Sequence, residues 1–336
     1  MCFNVEKGDY GYFIETKSTK IKILQLTDTQ VIDSSQCRFD GRLGKSEYDM
    51  WRPEFVEKRC YSYIREAIMK TNPDLIIMTG DLVYGEFDDS GKQFLEFVSF
   101  MESFGILWAP VFGNHDNEAK TGVEYQCNVL ENAENCLFMR GNTDGNGNYT
   151  VTLLCKGVPF RTLIMLDSHG CNNIAPGIYD SQTEFCVRAC NEIKEKYGCL
   201  PPLFAGFHIA TSNYVDASIE AGYEKAGEDG LYGIGSDVPA KSGDFGHKYQ
   251  RFLKINKDTS FFDFFTKNGG DGIFCGHWHK INTSILYRGV RLTFGLKTGI
   301  YDSYNKNDVG GTLISLNGSG RGEFSVRHIY SELHKS

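Results

Sequence analysis

Residues 76–84 read IIMTGDLVY and residues 109–116 read APVFGNHD. In both, an apolar run stops at a glycine, and residue types that bind metals follow at once. Three other stretches share the design: ILQLTDTQ (23–30), LFAGFHIA (203–210) and IFCGHWH (273–279). Short continuous apolar runs of this kind are the pattern of strands buried on both faces. In open α/β sheets ligands gather beyond the carboxyl ends of the strands, so five such ends can converge on one place. Glycine before Asp81, Asn114 and His277 permits the sharp turns and close backbone approach that this needs.

The segments between these runs fix the class. PEFVEKRCYSYIREAIMK (53–70) carries apolar residues at helical spacing and starts with proline, and KQFLEFVSFMESF (92–104) is a second helix closed by Gly105. The resulting β-α-β-α-β series predicts a parallel sheet with crossover helices. GYFIET (11–16) and KIKILQLTD (20–28), around the polar turn KSTK, predict an opening hairpin. Residues 118–148 and 211–246 break the rhythm and are expected to be pocket-shaping insertions. Strand-like pieces after His279 (TSILYRG, VRLTFGLK, GTLISLN, EFSVRHIY) predict that the C-terminal third largely supplies a second sheet. No linker or repeat divides residues 1–336, so a single domain with its core at about 20–330 is expected.

With 43 acidic against 35 basic residues the formal charge is −8. This excludes nucleic-acid binding by bulk electrostatics, but not an anionic substrate, because bound cations reverse the field inside a site. No run approaches the roughly 18 apolar residues of a transmembrane segment. The start, MCFNVEKGDYGYF, lacks a basic n-region and an apolar h-region. A cytoplasmic location is therefore expected if Met1 is the native start, and a secreted or lysosomal one if a signal peptide has been removed. The 11 cysteines include no CxxC pair; Cys186 and Cys190, one helical turn apart, read equally as helix-face residues or a disulfide.

Taken in order, the motifs resemble those of the calcineurin-like metallophosphoesterases: D-x-H, G-D, G-N-H-[DE], a lone His and G-H-x-H. The resemblance runs from about Lys20 to the end of the chain. It implies a four-layer α/β/β/α sandwich of two mixed sheets flanked by helices, with two metal ions at the sheet edge. It implies that Asp81 bridges the ions, that Asn114, His208 and His277 hold one, and that Asp28 and His279 hold the other. Carboxylate, imidazole and amide donors without thiolates suit Fe paired with Fe, Zn or Mn. Two such ions, about 3.5–4 Å apart, can acidify a bridging water for in-line attack on phosphorus and clamp the phosphate oxygens.

Gln30 departs from the pattern, standing where D-x-H has its histidine. Tyr84 gives G-D-x-x-Y, a spacing similar to the purple acid phosphatases, in which this tyrosine binds Fe(III). LDS (166–168), FHI (207–209) and the Gly-rich stretch 294–304 are similar to the same branch. Gln30, Tyr84 as ligand and Tyr84 as packed aromatic all remain open on sequence alone. His115 is the expected catalytic acid, with Asp116 holding its tautomer; His169, at another strand end, is a possible substrate contact. The expected activity is hydrolysis of phosphomonoesters on a small molecule or phosphoprotein. A phosphodiesterase with the same centre is the alternative within enzymes, and a scaffold on the same fold is the alternative outside them.

Overall fold

The computed structural model describes residues 4–33, 36, 53–171, 173–223, 243–247, 260–302 and 304–333. Strands β3 (Lys22–Leu26), β4 (Leu75–Thr79) and β5 (Leu107–Val111) lie parallel. Helices α1 (Pro53–Thr71) and α2 (Lys92–Glu102) connect them as crossovers. Strand β12 (Gly310–Leu316) runs antiparallel to β3, and β13 (Phe324–Tyr330) closes a five-stranded sheet in the order β13-β12-β3-β4-β5.

The second sheet has eight strands. Its members are β1 (Asn4–Lys7), β2 (Gly11–Thr16), β6 (Tyr149–Cys155), β7 (Val158–Met165), β8 (Leu203–Gly206), β9 (Gly270–Cys275), β10 (Ser284–Tyr287) and β11 (Val290–Phe294). They are ordered β1-β2-β6-β7-β8-β9-β11-β10, with parallel and antiparallel pairs mixed. Helices α4 (Asp180–Tyr197), α5 (Asn213–Glu220) and α6 (Phe261–Lys267) cover the outer face of this sheet; α3 (Gly122–Glu131) packs beside α2. This is the expected α/β/β/α sandwich.

Alternation along single strands shows why the runs are apolar throughout. On β8 and β9, Phe204 and Phe274 point into the core between the sheets. Their neighbours Leu203, Ala205, Ile273 and Cys275 point outward, under α4 to α6. Both faces are thus dry, as a covered sheet requires. Cys186 and Cys190 are buried free thiols on α4.

Three expectations need correction. GYFIET and KIKILQLTD do not form a hairpin: β2 pairs with β1 and β6, while β3 belongs to the other sheet. The KSTK turn therefore crosses between sheets, and the exposed strand NVEK, with no apolar face, was the true hairpin partner. The C-terminal third does not build one sheet; β10 and β11 extend the eight-stranded sheet and β12 and β13 the five-stranded one. Within 211–246 residues 213–220 are helical, and residues 224–242 lie outside the described residues.

One buried ion pair spans the eight-stranded sheet. Arg161 on β7 reaches across Phe204 of β8, 4.5 Å from its ring centre, to Asp271 of β9 at 2.6 Å. Asp271 also accepts from the Gly322 amide and Arg161 donates to the Gly320 carbonyl, so the pair fastens the β12–β13 turn to this sheet. Arg161→Met, which leaves Asp271 buried and unpaired, should lower the unfolding free energy by about 3 kcal/mol in urea titration. A loss below about 1 kcal/mol would show that the pair does not fasten the sandwich.

Candidate metal centre

The ends of β3, β4, β5, β8 and β9 meet at one point. Asp28 and Asp81 leave their strands with left-handed backbones, φ 50° and 52°, and His277 does so at 69°. Such conformations are costly for residues with side chains and cluster at functional sites. Backbone bonds lace the turns together: Asp28 N to Gly80 O at 3.0 Å, Gln30 N to Asp81 O at 2.9 Å, and His115 N to Asp81 Oδ1 at 2.9 Å. The His277 amide donates to Asp28 Oδ2 at 3.0 Å.

The motif glycines are there because nothing larger fits. A Cβ on Gly113 would overlap Asp81, one on Gly276 would overlap Thr27 and Asp28, and one on Gly80, at φ 89°, would press on the His208 ring.

Donor atoms of Asp28, Asp81 and His279 lie within 4.8 Å of one another, all buried. His208 adjoins them, with Nε2 3.3 Å from Asp81 Oδ2 and 3.2 Å from Asn114 Oδ1. Its Nδ1 lies 2.8 Å from the Thr79 carbonyl; donating there, it leaves Nε2 as the donor atom for the cluster, as metal-binding histidines are commonly arranged. The His277 ring stands edge-on to His208 with centroids 5.1 Å apart.

The electrostatics of the cluster are those of a cation site. Burial opposes charge on Asp28, yet His279 and His208 hold it well below the usual carboxylate range. Burial opposes charge on Asp81 too, and His208 and His115 overcome it. Burial, with His208 nearby, pushes His277 down to about 3, so it stays a neutral imidazole with a free lone pair. Among the described residues no thiolate enters the cluster; a set of two carboxylates, three imidazoles and an amide oxygen fits borderline or hard metal ions.

His115 sits at the mouth. Its ring stacks on Tyr84, 4.1 Å between centroids and 29° between planes, and its Nδ1 lies 2.8 Å from Glu118 Oε2. Asp116 does not touch that ring: its Oδ1 accepts from Val83 N at 2.9 Å and Oδ2 from Gly113 N at 2.7 Å. Both oxygens are used in pinning the β4 turn to the β5 turn, so Glu118 takes the orienting part expected of Asp116. Burial opposes protonation of His115, but Asp81 and Glu118 outweigh it and lift the imidazole to about 9. Burial and the Asp81 charge lift Asp116 to about 8.

His169 lines a cavity of 580 Å³ with Glu118, Asp144, Asp167 and Tyr179. Its ring stacks on Tyr179 and its Nδ1 is 3.1 Å from the Gly177 carbonyl. The loop after α3, within the expected 118–148 insertion, supplies one wall of this cavity.

Gln30 faces the cluster with its nitrogen, donating to Asp81 Oδ2 at 3.1 Å, while its oxygen accepts from Lys297 Nζ at 2.5 Å. Three neighbours of the centre were not expected from sequence: Glu118, Lys297, and Asp302, whose Oδ2 lies 3.3 Å from His279 Nδ1. Lys297 and Asp302 both stand in the Gly-rich stretch 294–304 already singled out, whereas nothing local marks Glu118.

Gly113→Ala should cost about 1–3 kcal/mol of stability through overpacking against Asp81. Denaturant titration checks it, and an unchanged midpoint would show that the turn has room.

Comparison with known proteins agrees with this geometry. The family model described as calcineurin-like phosphoesterase matches residues 21–281. Phosphatase DCR2 of Saccharomyces cerevisiae is 26% identical over 245 residues, 67% of this chain and 41% of that protein. A probable inactive purple acid phosphatase 14 of Arabidopsis thaliana is 29% identical over 152 residues, 40% of this chain and 34% of that protein. The chain thus spans less than half the length of these curated relatives. A dimetal phosphatase from Danio rerio shares the fold, with TM-score 0.52 at 9% identity, covering 93% of this chain and 99% of that one. The match runs from just before β3 to just past His279, and the chain belongs to the calcineurin-like phosphoesterases.

Proposed function

We propose that this chain is a metal-dependent phosphomonoesterase of the purple-acid-phosphatase-like type, acting on a phosphorylated small molecule or phosphoprotein. The observation that carries the reading is the buried cluster of Asp28, Asp81 and His279, adjoined by His208 and Asn114. In it, Asp81 reaches both halves of the centre; Asn114, His208 and His277 complete one half, and Asp28 and His279 the other. Two bound ions would supply an acidified water and neutralise phosphate charge.

The chain's own residues do the rest. Thr79 and Asp302 orient the His208 and His279 rings. Glu118 holds Nδ1 of His115, leaving Nε2 to meet a phosphate oxygen or protonate the leaving alkoxide. Asp81 contributes to holding the His115 imidazole at about 9, and a cation bound to Asp81 would offset that contribution and lower it. Tyr84 packs the imidazole face-on; as a ferric ligand it would also colour the protein. The acidic cavity next to His115 suits a leaving group with hydroxyl or amino groups and repels polyanions such as nucleic acid.

The test is metal analysis of protein purified without chelators, together with turnover of a panel of phosphomonoesters and phosphodiesters. Metal-dependent monoester hydrolysis is expected. Faster diester turnover would shift the assignment to a phosphodiesterase, and no turnover with Fe, Mn or Zn supplied would make a scaffold the better account. His277→Ala should abolish hydrolysis with circular dichroism unchanged, and retained activity would mean the centre lies elsewhere. His115→Asn should slow alkyl phosphates by about 10²-fold or more but nitrophenyl phosphates much less. Equal losses on both would remove His115 as the acid. Tyr84→Phe should bleach any visible ferric absorption; a ferric-loaded parent protein without colour would leave Tyr84 as packing only.

A further inference from the structure

Lys297 is 2% exposed and lies against the Asp28 half of the proposed centre. Its place is set by the backbone. Residue 297 bridges Thr27 on one side and Val309 on the other. Beyond it, Thr298 N and Gly299 N donate to the carbonyls of Thr27 and Asp28 at 2.9 and 3.0 Å. From that anchored backbone the side chain's Nζ ends 2.5 Å from Gln30 Oε1 and 3.2 Å from the Asp28 carbonyl.

That contact fixes the Gln30 amide. An ammonium only donates, so the atom facing it is the oxygen; an ionised carboxylate only accepts, so the atom facing Asp81 Oδ2 is the nitrogen. Both ends agree. Gln30 thus holds its one metal-binding atom away from the cluster, where a D-x-H histidine would offer an imidazole. Lysine also brings a positive charge next to the carboxylates that a cation would use. Burial opposes that charge and holds the ammonium below the usual lysine range, while Asp28, Asp302 and Asp81 act in its favour.

We propose that Lys297 makes the two halves of the centre unequal. The half built from Asn114, His208 and His277 binds a divalent cation tightly. The half built from Asp28 and His279 binds its cation weakly and exchangeably, because an ammonium already occupies part of its field and withholds Gln30. The inference rests on the metal-centre reading above but adds a ranking that the motif order does not contain.

The test is calorimetric titration of chelator-stripped protein with Mn²⁺, comparing the parent with Lys297→Met. The parent should show two binding events separated by about tenfold or more in Kd, or one event with the second too weak to see. Lys297→Met should tighten or reveal the second event by about tenfold or more and leave the first nearly unchanged. Two equal events in the parent would overturn the inference, as would a second event that Lys297→Met leaves untouched. If circular dichroism shows that Lys297→Met does not fold, the parent isotherm decides alone. Absence of any Mn²⁺ binding to the parent would instead overturn the metal-centre reading itself.

Discussion

Two carboxylates, Asp28 and Asp81, are buried to 1% and 0% exposure in one cluster at the ends of adjacent parallel strands. Like charges taken out of water together are tolerated only when donors and cations surround them. Most of what is unusual in this chain answers that demand. Backbone amides of His115 and His277 point at the carboxylates, His208 and His279 approach from the neighbouring strand ends, and Lys297 and Gln30 close the remaining side. The left-handed turns and the glycines without room for a Cβ bring these groups within reach. A cluster that favours positive charge so strongly is preorganised for metal ions and, through them, for a phosphate.

Much of this is legible in the sequence alone, for a physical reason. A strand covered on both faces must be apolar, so each run announces its own end, and a glycine followed by Asp, Asn or His at that end has few other uses. Hence Asp28, Asp81, Asn114, His208, His277 and His279 all follow the carboxyl ends of their strands, while their part as ligands is proposed. What was not legible depends on contacts between distant residues. Whether KSTK folds back or crosses over is set by what β2 meets 138 residues later, as the Thr16 hydroxyl does on reaching the Leu154 carbonyl. Strand β1, exposed at every residue, carries no pattern to read.

The site shows the same division. Asp116 was the obvious partner for His115 by adjacency, but a 3₁₀ turn at 116–118 swings Glu118 to the ring and turns Asp116 inward to two backbone amides. Lys297 lies 267 residues from Gln30, and no spacing rule connects them. Local motifs therefore identify the groups that would hold metal, while the groups that tune them come from the fold. Family membership therefore does not fix the substrate.

Anomalous diffraction from crystals soaked in Mn²⁺ would test the central claim most directly. The account predicts a strong peak bounded by Asp81, Asn114, His208 and His277, and a weaker one between Asp28 and His279. Manganese bound elsewhere, with no peak at this cluster, would contradict it.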